Sequence, residues 1–83
     1  MAEELLKEIF EDLYKIKDLA EELKSASEQD LIFYYETVGQ YIRNIFLWKS
    51  QSNVDLLSKH YKCSQIYKLS FLILKDFYYI IKK

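Results

Sequence analysis

Residues 39–48 read Gly-Gln-Tyr-Ile-Arg-Asn-Ile-Phe-Leu-Trp and hold the only glycine, the only arginine and the only tryptophan of an 83-residue chain. The stretch continues an apolar pattern of helical spacing that begins at Leu31, so it reads as the interior of a long helix. A glycine inside a helix costs about 1 kcal/mol relative to alanine, which implies that another backbone or a large side chain comes close to Gly39. Arg43 has no acid three or four residues away on either side. Any ion pair it makes must therefore be tertiary or intermolecular.

Working outward, the rest of the chain has no proline, while 51% of residues are apolar and 17% aromatic. With almost no turn punctuation, this composition predicts an all-α fold in one domain spanning residues 1–83. Leu6, Ile9, Leu13, Ile16, Ala20 and Leu23 step by threes and fours, the seam of a first helix over 2–25. Glu3 and Glu4 lie at its amino end, where the helix dipole favours negative charge. Ser25-Ala26-Ser27 interrupts the seam, and Ser27 with Asp30 has the spacing of a capping box. One continuous helix with a stutter there is the alternative.

A second helix over 28–49 has the seam Leu31, Tyr34, Val38, Tyr41, Ile45 and Trp48, widened by Tyr35 and Ile42. Ser52 and Asp55 repeat the capping spacing before a short helix over 53–61. Ser64 can cap the last helix, 64–82, whose face of Leu69, Leu72, Ile73, Phe77 and Ile80 is flanked by apolar groups on the other faces. A helix apolar nearly all round is central to the fold or part of an interface. The expected architecture is an antiparallel bundle of three long helices and one short one.

Charge is distributed unevenly. Residues 1–42 carry eleven acids and four lysines, whereas residues 43–83 carry eight bases and two acids, so a total of −1 hides a strong polarity. Lys68, Lys75 and Lys82 recur every seven residues as a stripe that is solvated, faces the acidic first helix, or receives an acidic partner. The amino end has neither the basic start nor the apolar run of a signal peptide, and Lys75 and Asp76 interrupt the most apolar stretch. A cytoplasmic, non-membrane protein is expected.

Catalytic and metal chemistry find little support. His60 and Cys63 are single residues without a nucleophile–base pattern, a glycine-rich phosphate loop or a recognisable ligand spacing. The expectation is no enzyme, no metal and no cofactor. The residues singled out are Arg43 and Asn44 as a polar network, either a buried clamp between helices or a contact for a partner. An acid of the first helix, Asp76, or carbonyls at a helix end are the candidate acceptors for Arg43. Tyr35, Trp48, Tyr67, Tyr78 and Tyr79 form the candidate interface, since tyrosine buries area while keeping a polar tip.

Gly39-x-x-Ile42-Arg43-Asn44, then Leu47-Trp48, then Ser70-x-x-Ile73-Leu74 resembles a small family of uncharacterised bacterial helical domains, over about residues 31–81. The family's acidic Pro-Asp-Asp turn is replaced here by Ile66-Tyr67-Lys68, so no role of that turn transfers. The resemblance implies a small helical fold and brings no activity. It also groups Arg43, Asn44 and Ser70 as one network.

Three function classes follow from these readings. The first is a protein-binding module of the kind represented by neutralisers such as antitoxins, immunity proteins and phage inhibitors of host defence. The second is a homo-oligomeric scaffold. The third is a small nucleic-acid-binding regulator, for which lysines without clustered arginines give little grip on phosphate.

Overall fold

The computed structural model describes residues 1–83, and every regular element in it is helical. Five helices follow one another: α1 (Ala2–Tyr14), α2 (Leu19–Ser25), α3 (28–47), α4 (Gln51–Tyr61) and α5 (Ile66–Lys82). The all-α expectation holds, but three long helices and one short one become five because the expected first helix breaks at residues 15–18. Asp18 there adopts a left-handed backbone, φ 65°, which aspartate tolerates better than most residues. The amides of Lys15 and Ile16 donate to the carbonyls of Asp12 and Leu13, tightening the last turn of α1. The bend lets α1 pack on α4 while α2 packs on α5. It also shifts the register by one residue, so that Leu19 is buried and Ala20 only half-buried.

The break at 26–27 is present. The Asp30 carboxylate accepts from the Ser27 amide at 3.0 Å, the acid's half of the expected capping box. Helix α3 then opens with a 3-10 turn, Glu28–Asp30, and contains two π-helical segments, Tyr35–Gly39 and Arg43–Leu47. Their cause is the periodicity of its inner face. Inward positions come in pairs at 34–35, 38–39, 42–43 and 46–47, four residues apart. An ideal α-helix advances about 100° per residue, so a four-residue step drifts by about 40° and three steps by about 120°. A turn closed by an i→i+5 bond takes up the surplus residue and keeps the face pointed inward. Trp48 N donating to Arg43 O at 2.7 Å is one such bond. The seam expected through Ile45 and Trp48 is corrected accordingly: the wide turns bring Phe46 and Leu47 inside and leave Ile45 and Trp48 exposed, at 43% and 52%.

Helix α4 begins earlier than expected, because Ser50 and not Ser52 is its cap: Asn53 N donates to Ser50 Oγ at 3.2 Å. The Asn53 side chain meanwhile donates to Phe46 O at 3.0 Å, satisfying a carbonyl at the end of α3. Lys62, φ 56°, ends α4 in the left-handed region, with Cys63 N donating back to Ser58 O. Helix α5 starts at Ile66, two residues later than expected, with Gln65 and not Ser64 at the cap position.

Helix α5 is central and packs against α2, α3 and α4. Its fully buried Phe77 also meets Phe10 and Tyr14 of α1, with ring centroids 5.9 and 5.0 Å away. Tyr78 OH donates to Ala26 O and Lys82 Nζ to Lys24 O, both at 2.8 Å. Two side chains of α5 thereby satisfy carbonyls left open at the carboxyl end of α2. The lysine stripe does not pair with the acidic first half. The one ion pair in the molecule joins Lys24 and Glu21 within α2, at 3.4 Å. No helix is long and apolar enough to cross a membrane.

Candidate binding face around Arg43

The four-residue period of α3 turns Gly39 and Arg43 toward α5. Gly39 has ordinary helical angles, so its lack of a side chain serves space and not backbone freedom. A Cβ there would lie 2.8 Å from Tyr35 Cδ1 and 3.2 Å from Arg43 Nη1. The glycine therefore accommodates the Tyr35 ring and the guanidinium side by side, the close approach that its mid-helix position implied.

Arg43 is 8% exposed. Its Nη1 donates to Ser70 Oγ at 2.9 Å, and its Cζ lies 4.5 Å from the Tyr67 ring centre and 5.1 Å from that of Tyr35. Ser70 Oγ in turn donates to Tyr67 O at 2.8 Å, and Tyr35 OH donates to the same carbonyl at 2.9 Å. The carbonyl of Tyr67 thus gathers two hydroxyls, one from each side of the α3–α5 contact. The Tyr35 ring also stands edge-on to Phe71, centroids 5.6 Å apart. No carboxylate pairs with Arg43, since the molecule's one ion pair lies elsewhere. The acids considered as its partners are therefore corrected: Asp76 instead accepts from Tyr61 OH at 2.6 Å. Burial and that carboxylate push the Tyr61 phenol far above its ordinary range.

Of the expected polar network, Arg43 and Ser70 meet and Asn44 does not. Asn44 is exposed on α3 and makes no side-chain hydrogen bond, because the inward pair at this turn is 42–43. Of the expected interface residues, Trp48 and Tyr67 are exposed, Tyr67 at 59%, and meet edge to face with centroids 5.9 Å apart. Tyr35 is half-buried beside Arg43. Tyr79 is exposed at the far end of α5 and belongs to a different surface. Tyr78 is corrected from interface to core: its ring is buried and its hydroxyl is held by Ala26 O. Ile45, expected inside, joins the exposed set one turn before Trp48.

His60 is exposed and stacks edge-on to Tyr61, with centroids 4.8 Å apart, and no hydrogen bond links it to the half-buried Cys63. No group of three or more His, Cys, Asp or Glu side chains is placed so that it could hold a metal ion.

Fold and site define a small all-helical protein with a buried arginine packed on Tyr67, one ring of an exposed aromatic pair. No family model, curated protein or solved structure matches the chain. Gly39, Arg43 and Ser70, spread over 32 positions of the sequence, converge at this site.

Proposed function

We propose that the chain is a non-catalytic protein-binding module that docks through the face formed by Ile45, Trp48 and Tyr67, in the manner of small cytoplasmic neutralisers. The observation that carries this reading is the pairing of Trp48 and Tyr67, both more than half exposed, with the Tyr67 ring stacked on a buried arginine. Tryptophan, tyrosine and arginine are the residues that most often dominate binding energy when they cluster at the centre of an interface. Selection of binders from a displayed library of random peptides tests the proposal. Binders that lose affinity at least about tenfold for Trp48→Ala, with the variant still folded, support it. Binders insensitive to Trp48→Ala and Tyr67→Ala refute it.

A second reading has its own observation. Phe10 and Tyr14 of α1 form with Ile80 an open groove between α1 and α5, and Tyr79, the residue before Ile80, is exposed. Such a face suits a homodimer. Light scattering coupled to size exclusion at low and high salt decides it: a salt-resistant dimer that Ile80→Glu dissociates favours self-association.

A further inference from the structure

We infer that Arg43 is the anchoring cation for a carboxylate carried by an acidic segment of a partner protein, which enters beside Trp48 and Tyr67. The inference rests on the protein-binding reading and adds the chemistry of the partner.

Arg43 presents five N–H donors, and the fold uses one of them, the Nη1 bond to Ser70. No buried side-chain nitrogen or oxygen in the molecule lacks a partner. The guanidinium nitrogens that make no bond therefore keep a route to the surface, although the residue as a whole is more than nine-tenths buried. Tyr35 and Tyr67 flank the group, and the Gly39 backbone leaves room for it. Its rotamer is set before any ligand arrives, because Ser70 holds one end and Tyr67 O fixes both Ser70 and Tyr35. A planar fork with unused donors and no internal carboxylate matches bidentate carboxylate geometry. Flanking charge points the same way. Lys49 and Lys68 adjoin Trp48 and Tyr67 in the chain, are exposed, and form no ion pair. Residues 43–83, which supply Arg43, Trp48 and Tyr67, carry eight bases against two acids, a balance that suits an acidic segment. The exposed rings of Trp48 and Tyr67 then remove water from around the ion pair, which strengthens it.

Two measurements test this. First, the Arg43 side-chain Nε–H resonance of the isotope-labelled full chain is followed while sodium acetate replaces sodium chloride at constant ionic strength. A saturable shift of Arg43, absent for chloride, is expected; indifference to acetate overturns the inference without touching the protein-binding reading. Second, peptides selected on the Trp48 face are resynthesised with each Asp or Glu changed to the amide. At least about a tenfold loss from one such change is expected, with Arg43→Met abolishing that difference. Peptides that need Trp48 but no acid overturn the inference and leave the module intact. Peptides that need neither overturn both. Should Arg43→Met fail to fold, Arg43→Lys serves, since it keeps the charge and loses the fork.

Discussion

Replacing Gly39 by alanine tests the packing on which the Arg43 site depends. In an exposed helix interior this substitution stabilises by about 1 kcal/mol, because alanine has the best helix propensity and glycine nearly the worst. At this position the new methyl would stand 2.8 Å from Tyr35 Cδ1 and 3.1 Å from Tyr35 Cε1. Carbon atoms prefer separations of about 3.5–4.0 Å, so the ring must retreat by more than half an ångström. It has little freedom to do so. The Tyr35 hydroxyl is tied to Tyr67 O, and its ring packs at a steep angle against Phe71. Arg43 Nη1, 3.2 Å from the same methyl, is itself held by Ser70. Overpacking of this kind costs about 1–3 kcal/mol, which outweighs the propensity gain and leaves a net loss of about 1 kcal/mol.

Urea unfolding followed by circular dichroism measures that loss, and a fall in Tm of about 4–8 °C accompanies each kcal/mol in a domain of this size. The sign is the decisive quantity. In a Tyr35→Ala background the two closest contacts are gone and Arg43 is free to move into the vacated space, so Gly39→Ala should stabilise by about 1 kcal/mol, giving a coupling of about 2 kcal/mol between the two sites. Stabilisation by Gly39→Ala in the wild-type background, or additivity of the two changes, would refute the reasoning.

Arg43→Met should change stability by less than about 1 kcal/mol, because relief of the buried charge offsets the lost tyrosine contacts and the Ser70 bond; a melting curve showing a loss above about 3 kcal/mol would make Arg43 a structural clamp. Trp48→Ala should leave unfolding within about 1 kcal/mol of wild type, since half the side chain is in water, while removing peptide binding. Phe77→Ala empties the contact of α5 with α1 and should cost about 3–5 kcal/mol, read as loss of the cooperative thermal transition or a large drop in its midpoint. The Tyr61 phenol titrates higher when folded than its ordinary value of 10.0, so the folded state holds a proton that the unfolded state gives up. Its contribution to stability is full below that value and is lost as pH rises beyond it. Tyr61→Phe should flatten the alkaline fall in stability, and an unchanged slope counts against the Asp76 bond.

Helix content and most core residues were legible because they depend on local pattern. Leu6, Ile9, Leu13, Leu23, Leu31, Leu69, Ile73 and Phe77 are all apolar at helical spacing and all buried. Three features escaped. The bend at 15–18 depends on Asp18 in a left-handed conformation, and nothing in Lys15-Ile16-Lys17-Asp18 demands it without the tertiary gain of placing α1 and α2 on different neighbours. Ser50 and Ser52 are equally good caps by type, and Asn53 decides between them by reaching back to Phe46 O. Tyr78 and Tyr79 are identical in composition, and only the rotation of α5 sends one to Ala26 O and the other to water. At the site, Gly39 and Arg43 were legible as exceptions to their surroundings, while the acceptor of Arg43 was not, because Ser70 lies 27 residues away and carries no charge.

The register of α3 binds these observations together. Reading residues 31–48 at the ordinary helical period puts Ile45 and Trp48 inside. Reading them at a period of four puts Gly39, Arg43 and Leu47 there. The fold takes the second course and accepts two stretches of wide π turns, a rare backbone found often at functional sites. The same rotation that brings the one arginine inward sends the one tryptophan outward, so the cation and its aromatic rim arise from a single choice of register. A methionine at 43 would fill the space between Tyr35 and Tyr67 with no desolvation cost. What the arginine adds is a fixed positive charge packed on the exposed Tyr67 ring, with one donor spent on Ser70, and this is the feature on which the proposed carboxylate contact rests.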